Sequence, residues 1–325
     1  MTRANNRIVI LGAAGFIGYH ISVHLLKMTQ CQLVLVDNFT RGQNDELFDK
    51  LVSEKNVVFK NLDLSLEKSY IDLFKEEDLV INCAALNGTQ NFYSKPVDVI
   101  RNSAIPAILT PEYAARASAS KYIYFGSSES YAGGINLGIT PIPTPETVPL
   151  IVDDITNSRW SYAISKTIGE TATIANHNQF GLNYLILRIH NIYGPRMGNN
   201  HVIPDLIHKF TKGNADVYGI NETRCFMYID DLVNIVFELA TNSDIKSNTI
   251  YNIGSETETQ IVKLAELILE ELKLNLNIYS SKSFPGSVLR RHPDTSLLRS
   301  QINFKETDLK VGLKKTIDWY LNNTK

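Results

Sequence analysis

Short apolar runs recur along the chain up to Ile189, and segments with helical periodicity separate most of them. The runs cover residues 8–11, 33–36, 57–59, 79–82, 122–125 and 184–189. Apolar residues at consecutive positions are typical of strands that are covered on both faces. Their alternation with helical segments predicts an α/β fold, a doubly wound parallel sheet with helices on both faces.

The longest helical segments in the first part of the chain are residues 16–28, 96–118 and 162–180. Four of the chain's eleven prolines fall within residues 140–149, which predicts a stiff loop there. Beyond Ile189 the alternation weakens, and helices are predicted at residues 202–212, 230–240, 260–272 and 311–320. We therefore expect a smaller cap over the carboxyl edge of the sheet, where doubly wound folds bind ligands.

Composition excludes several classes of partner. The 325 residues carry a net charge of −2 without a basic cluster, so nucleic acid is not an expected partner. No apolar segment approaches the roughly 18 residues that span a bilayer, and residues 1–6 lack the apolar core of a signal peptide, so we expect a cytoplasmic protein without a membrane partner. His20 and His24 share a helix face but have no third ligand nearby, so no metal site is predicted.

A glycine triplet directly follows the first apolar run. Gly12, Gly15 and Gly18 form a G-x-x-G-x-x-G turn, and Phe16 and Ile17 open the next helix. Such a turn lets backbone N–H groups and the helix N-terminus receive the pyrophosphate of a dinucleotide. An ordinary turn between a strand and a helix also favours glycine, so the motif alone leaves both interpretations open.

The second apolar run strengthens the dinucleotide interpretation because it ends in Asp37, about 20 residues beyond the glycines. A carboxylate at this position can accept hydrogen bonds from both ribose hydroxyls, and it repels a 2′-phosphate. The residue therefore favours NAD over NADP, although Arg41 lies close enough in sequence to offset that preference. The alternative is that Asp37 only caps the turn that follows it.

Tyr162 and Lys166 stand four residues apart on a predicted helix, so they share one face. A lysine and a cationic nicotinamide beside a phenol favour the phenolate, which can take a proton from a substrate hydroxyl. Without the glycine motif, the same spacing would be interpreted as a solvated pair.

Hydroxyl and carboxyl groups follow the fifth apolar run, at Ser127, Ser128 and Glu129. This is the carboxyl end of a predicted strand, where an active site is expected. A serine there can donate to the oxygen of an alcohol that is being oxidised, and the carboxylate can act as a second acid or base. The alternative is a polar turn with a solvated Glu129.

Together these motifs resemble those of the extended short-chain dehydrogenase/reductase family, specifically its nucleotide-sugar epimerases, dehydratases and decarboxylases. The likeness covers nearly the whole chain. It implies NAD contacts from Gly12, Gly15, Phe16, Ile17, Gly18, Asp37, Asn38, Asp63, Leu64, Ala84, Ala85, Tyr162 and Lys166. It implies a catalytic set of Ser127, Glu129, Tyr162 and Lys166, and substrate contacts from Ser127, Ser128, Asn191, Arg224 and Arg291, with the last two as diphosphate ligands. Ala132 and Trp160 depart from the family pattern in positions that are expected to shape the sugar pocket.

The resemblance also implies a shared first step. Tyr162 removes a proton from a sugar hydroxyl, usually at C4, while a hydride passes to NAD and Ser127 steadies the developing carbonyl. Glu129 favours elimination over epimerisation, and the reaction that we expect is a 4,6-dehydratase reaction on a nucleotide-linked hexose. The alternatives are a 4-epimerase, a uronate decarboxylase and a dedicated C4 dehydrogenase, or, from another class, a noncatalytic NAD-binding protein.

The resemblance further implies an organisation into two domains and a dimer. A Rossmann-type NAD-binding domain is expected over residues 1–188, and a mainly substrate-binding cap over residues 189–325, from which residues 222–250 return to the first domain. A homodimer is expected in which the helices at 96–118 and 162–180 pack against their symmetry mates.

Overall fold

A computed structural model describes residues 7–282 and 287–323. Residues 1–6, on which the expected absence of a signal peptide rests, lie outside these ranges. The strands are β1 (Arg7–Leu11), β2 (Gln32–Asp37), β3 (Val57–Asn61), β4 (Leu79–Asn82), β5 (Lys121–Ser127), β6 (Tyr184–Ile189), β7 (Ile192–Tyr193), β8 (Asp216–Tyr218), β9 (Thr223–Cys225), β10 (Met227–Tyr228), β11 (Thr249–Ile253), β12 (Glu258–Gln260), β13 (Tyr279–Ser281) and β14 (Arg290–Arg291). The helices are α1 (Phe16–Met28), α2 (Glu46–Val52), α3 (Thr89–Ser94), α4 (Pro96–Arg116), α5 (Ala132–Asn136), α6 (Trp160–Phe180), α7 (Val202–Thr211), α8 (Ile229–Thr241), α9 (Ile261–Leu272), α10 (Ser296–Arg299) and α11 (Leu309–Asn323).

A parallel sheet forms the centre of the molecule, with the strand order β11-β6-β5-β4-β1-β2-β3. Successive side chains of a strand point to opposite faces, and β1 shows the result. Ile8 and Ile10 belong to one hydrophobic core, while Val9 and Leu11 belong to the core on the other face. The predicted doubly wound sheet is confirmed, and each predicted apolar run forms one of its strands.

The long helices lie where periodicity predicts them, and local sequence sets several of their ends. α4 begins with Pro96, which fits the first turn because its missing N–H would have no helical partner there. α6 ends at Phe180, and the left-handed conformation of the next residue, Gly181 (φ 75°), caps the helix. The short helices α2, α3, α5 and α10 were not predicted. Within the described ranges, no helix has the length and apolarity needed to cross a membrane.

The chain after β6 builds smaller sheets beyond the carboxyl edge of the central one. β9 lies between β12 and β14, β8 pairs with β13, and β7 pairs with β10. β11 then joins the central sheet beside β6, and α8 packs against α1. The proline-rich segment 140–149 forms no helix or strand and makes only an isolated bridge between Thr144 and Pro293, which confirms the predicted loop.

The strand order reverses between β1 and β4. The chain runs outward from β1 through β2 to β3 and then crosses back to place β4 on the other side of β1. The connections at the carboxyl ends of β1 and β4 therefore leave in opposite directions and open a crevice. This crevice positions the site described below.

Candidate active site

A cavity of about 680 Å³ occupies the crevice and extends under the smaller sheets. All the residues predicted to contact cofactor or substrate line it. They are Gly12, Gly15, Phe16, Ile17, Gly18, Asp37, Asn38, Asp63, Leu64, Ala84, Ala85, Ser127, Ser128, Glu129, Tyr162, Lys166, Asn191, Arg224 and Arg291. Sequence motifs that are far apart in the chain are thus brought to one site.

The glycine turn between β1 and α1 is shaped by close backbone contacts. Gly12 has φ 75°, and a Cβ there would lie 2.9 Å from the backbone of Ala84. A Cβ on Gly18 would lie 2.2 Å from the carbonyl oxygen of Gly12, so neither position admits a side chain. A Cβ on Gly15 would meet only that same carbonyl oxygen, at 3.2 Å, which leaves the start of α1 open to the cavity. An anionic pyrophosphate fits such a backbone cradle.

Asp37 lies at the end of β2, beside this turn. Its two carboxylate oxygens accept hydrogen bonds from the backbone N–H groups of Ala14, at 2.9 Å, and Phe39, at 2.8 Å. Burial raises its pKa, and these backbone donors lower it. The carboxylate therefore caps the following turn and also lines the cavity. Each oxygen keeps a further lone pair, so Asp37 can still accept from a ribose hydroxyl.

Tyr162 is buried on the first turn of α6. Its ring stacks on Phe92 of α3, with centroids 4.9 Å apart and planes inclined by 19°. Burial, followed by the negative charge of Glu129, raises the pKa of Tyr162 above its ordinary value, while a hydrogen bond from Ser127 and the charge of Arg41 lower it. The phenol and the Ser127 hydroxyl are therefore already in contact, as a shared role on one substrate oxygen requires.

Lys166 lies one turn further along α6 and donates from Nζ to the carbonyl oxygen of Phe125, at 2.7 Å. The ammonium is 5.8 Å from the centre of the Tyr162 ring. Burial lowers the pKa of Lys166 to about 8. Burial is the largest influence on both groups and disfavours the charged form of each, so the phenolate that we expect beside a bound nicotinamide stays a prediction.

Glu129 lies in the short 3₁₀ helix Ser128–Tyr131 that follows β5, and two arginines hold it. Arg159 donates to Oε2 from Nε, at 3.1 Å, and to Oε1 from Nη2, at 2.8 Å. Arg291 places Nη1 2.6 Å from Oε1. Burial would raise the pKa of Glu129, but the two guanidiniums lower it to about 2. The side chain is neither the solvated group nor the available acid considered in the sequence analysis.

The two predicted diphosphate ligands lie side by side, because Arg291 of β14 is the register partner of Arg224 of β9. Arg224 pairs with Glu222 at 2.5 Å, and burial and Arg291 lower its pKa to about 10. Two polar groups of this region are buried without a hydrogen-bond partner in the described structure, Nδ2 of Asn191 and Nε of Arg291. Donors of this kind are expected where a ligand will accept from them.

Sequence reasoning did not identify several cavity residues. Arg159 precedes Tyr162 by three residues, a helical spacing that could have placed it on the same face. Phe92 lies in the unpredicted helix α3. Arg41 entered the analysis only as an influence on cofactor choice, yet its Nη2 lies 2.9 Å from Nε2 of His201 across the cavity.

The glycine turn at a topological switch point, with a tyrosine, a lysine and a serine beside it, defines a dinucleotide-dependent enzyme of the α/β class. Residues 8–254 match the NAD dependent epimerase/dehydratase family. The chain belongs to this family and is an NAD-dependent enzyme, as its resemblance to the extended short-chain dehydrogenases implies.

Relatives with three different activities resemble the chain. The UDP-N-acetyl-alpha-D-glucosaminuronate decarboxylase of Bacillus cytotoxicus is 31% identical over 97% of each chain. The structure of UDP-glucose 4-epimerase from Thermotoga maritima, solved with UDP-glucose, has a TM-score of 0.85 at 22% identity and covers 98% of this chain and 100% of the other. The dTDP-glucose 4,6-dehydratase of Streptomyces venezuelae, solved with NAD bound, has a TM-score of 0.86 at 20% identity and covers 98% and 97%. At these identities, the two solved structures establish the fold.

Proposed function

We propose that the protein is an NAD-dependent decarboxylase of a nucleotide-linked uronic acid. The observation that carries the proposal is the state of Glu129, a buried carboxylate that two arginines keep ionised. The 31% identical relative is a decarboxylase of a UDP-linked uronate, which supports the same substrate class.

The state of Glu129 bears on dehydration first. Loss of the C6 hydroxyl as water needs a base that takes the C5 proton and an acid that gives a proton to the leaving hydroxyl. Glu129 was expected to act as an acid or a base, and because its pKa is lowered to about 2, it can take a proton near neutral pH but has none to give to the leaving hydroxyl. The geometry therefore does not favour the 4,6-dehydratase reaction that we expected from the sequence.

Decarboxylation does not need an acid that protonates a leaving group at C6. Once C4 is a carbonyl, a C6 carboxylate is a β-keto acid. Its C5–C6 bond breaks, the electron pair moves into the C4 carbonyl to give an enolate, and carbon dioxide leaves. C5 then takes one proton from solvent. The requirements are a stabilised C4 oxygen and a cation for the carboxylate. We assign the second role to Arg291, which was predicted as a diphosphate ligand, because it lines the cavity with an unpartnered Nε.

The described residues divide these tasks. Tyr162 takes the proton of the C4 hydroxyl, and Ser127, already hydrogen-bonded to the phenol, donates to the developing C4 oxygen. Tyr162 returns the proton when the carbonyl is reduced at the end of the cycle. Lys166 holds the nicotinamide ribose from one helical turn away. The stacked ring of Phe92 keeps water from this face of the phenol.

We propose that the glycine turn holds the NAD pyrophosphate, that Asp37 and Asn38 hold the adenosine ribose, and that Asp63, Leu64, Ala84 and Ala85 line the remaining cofactor contacts. When bound, NAD supplies the hydride acceptor for C4 and the hydride donor at the end of the cycle. Asn191, Ser128 and Arg224 bind the nucleotide sugar. We propose two domains, residues 1–188 and residues 189–325, with residues 222–250 returning to the first domain. Two contacts of the returning segment support this division. α8 packs on α1, and β11, which begins at the end of the returning segment, joins the central sheet.

We also propose the homodimer that the family resemblance implies. α4 and α6 pack against each other, and their outward apolar side chains Val97, Ile100 and Ile168 are 67%, 50% and 42% exposed. Ala107 of α4 does not belong to this exposed face, because it is buried against Gly169 of α6 within the chain. An exposed apolar face on paired helices is what a four-helix interface would cover. A light-scattering mass near the 36.5 kDa of one chain would contradict the dimer.

The first test is mass spectrometry of the products formed from UDP-glucuronic acid and UDP-N-acetylglucosaminuronic acid with NAD. We expect loss of carbon dioxide and, in heavy water, one deuterium at C5. The control variant Tyr162→Phe keeps the ring against Phe92 but lacks the proton acceptor, so kcat should fall by about 10²- to 10⁴-fold.

Other products would identify other reactions. Loss of water from a nucleotide-linked hexose would restore the dehydratase, and unchanged mass with a new chromatographic peak would indicate an epimerase. Loss of two hydrogens with accumulating NADH would indicate a dedicated dehydrogenase. Each of these results, with the uronates left intact, overturns the proposed decarboxylase.

A further inference from the structure

Arg159 holds Glu129 in a way that no other residue of the site does. It is the residue immediately before α6, three positions ahead of Tyr162, and its backbone N–H donates to the side chain of Asn157 at 3.0 Å. Its side chain turns back to the 3₁₀ helix after β5, where Nε and Nη2 together occupy both oxygens of Glu129. The arginine thus ties the start of the Tyr162 helix to the end of β5.

The two arginines on Glu129 are not equivalent. Arg291 pairs with Oε1 through Nη1, and its Nε is buried without a partner in the described structure. Arg159 engages both oxygens and also contacts Tyr93 of α3. A two-point guanidinium contact fixes orientation as well as charge. Arg159 is therefore the fixed partner of Glu129, and Arg291 is the one that can turn to an incoming anion.

We propose that Arg159 is a positioning residue that keeps Glu129 a permanent carboxylate, so that the site releases carbon dioxide and does not protonate a C6 leaving group. The inference rests on the proposed function for its chemical meaning. It assigns the choice between two reactions to a residue that acts through Glu129. When Arg291 turns to the substrate carboxylate, Arg159 still supplies Glu129 with a full counter-charge.

The groups around Glu129 determine how the loss of Arg159 would change its ionisation. The charged and titratable groups that face it are Arg159 and Tyr162 from the start of α6, Arg291 from β14 and Arg224 from β9. Burial opposes the charged form of Glu129, and Arg159 is the larger of the two electrostatic influences that overcome burial. Without Arg159, only the contact of Arg291 would remain to offset the effect of burial on the charged form of Glu129.

The test is an infrared pH titration of the NAD-loaded enzyme, in which the protonated carboxyl band of Glu129 is identified by its absence in Glu129→Gln. In the wild type we expect no such band until strongly acidic pH. In Arg159→Gln the band should appear at a pH about 1 to 3 units higher. The acid limb of the pH–rate profile on the substrate that the wild type uses should move in the same direction.

Two further variants keep the test informative. Arg159→Lys retains the charge without the two-point contact and should give an intermediate titration, even if Arg159→Gln does not fold. Arg290→Gln removes an arginine that is 48% exposed and pairs with Glu258 outside the cavity, and it should leave the band unchanged.

A Glu129 band that titrates in folded Arg159→Gln or Arg159→Lys as it does in the wild type would overturn the inference. The titration needs no substrate, so its outcome is separate from the proposed function. Wild-type enzyme that fails to decarboxylate any uronate would contradict the proposed function, even if the Glu129 titration shifts as expected in the Arg159 variants.

Discussion

Arginines hold several buried carboxylates in the described structure, and two of them, Glu170 and Glu129, differ in their surroundings. Glu170 of α6 pairs with Arg188 of β6 at 2.7 Å, with side chains only 5% and 4% exposed. Glu129 pairs with Arg159 and Arg291 at similar distances. The first pair lies away from the cavity, whereas the second cluster lines it.

The Glu170 pair and the Glu129 cluster differ in their balance of charge and in whether every buried hydrogen-bond donor has a partner. Arg188 uses every nitrogen of its guanidinium, on Glu170, on the hydroxyl of Tyr131 and on the carbonyl of Glu146. One negative charge meets one positive charge there, and each guanidinium nitrogen has a partner. At Glu129 two guanidiniums meet one carboxylate, and a buried donor of Arg291 has no partner in the described structure. An excess of charge with a free donor beside a cavity indicates a ligand site, and a closed pair indicates structure.

The largest effect that we expect concerns the closed pair. Glu170→Gln removes the charge that compensates Arg188 far from water, so the free energy of unfolding should fall by about 3–5 kcal/mol. Urea denaturation followed by circular dichroism measures this change. The double variant Glu170→Leu/Arg188→Met removes both charges and should recover most of the loss. A Glu170→Gln protein of undiminished stability would show that the pair is not closed to solvent.

The fold and the local motifs were predictable because they depend on short stretches of chain. Runs such as residues 33–36 predicted the strands, and the glycine turn and Ser127 predicted where the cavity would be. The setting of Glu129 was not predictable in the same way. Its partners Arg159 and Arg291 come from segments that approach it only after β5, α6 and β14 are assembled.

The covering of the Tyr162 ring escaped prediction for a related reason. The spacing to Lys166 was read correctly, but the effect of burial on the phenol depends on α3, which no periodic pattern revealed. Phe92 of that helix covers the ring. Local sequence thus identified the candidate groups, and tertiary packing determines the surroundings of each.

A smaller effect on stability is expected at the cavity. Glu129→Gln also leaves arginines without their counter-charge, but Arg159 and Arg291 line a cavity that water can enter. The free energy of unfolding should therefore fall by about 1–3 kcal/mol, less than for Glu170→Gln measured by the same urea denaturation. Equal losses for the two variants would contradict the distinction between a closed pair and an open site.

The smallest effect is the dependence of that difference on pH. The pKa of Glu129 in the folded protein is about 2, below its ordinary value of 4.5, so the unfolded chain takes up the proton first as the pH falls. The stability that Glu129 contributes is therefore fully present above about pH 4.5 and is lost progressively as the pH falls toward 2. The gap in unfolding free energy between the wild type and Glu129→Gln should be constant near neutral pH and about 1 kcal/mol narrower at pH 4. Denaturation at a series of pH values measures the gap.

The matched control compares Glu129→Gln with Glu129→Gln/Arg159→Gln, a pair that lacks the titrating carboxylate and should differ by the same amount at every pH in this range. A gap that widens in acid would mean that the arginines do not hold the carboxylate ionised, and the contrast with Glu170 would lose its basis.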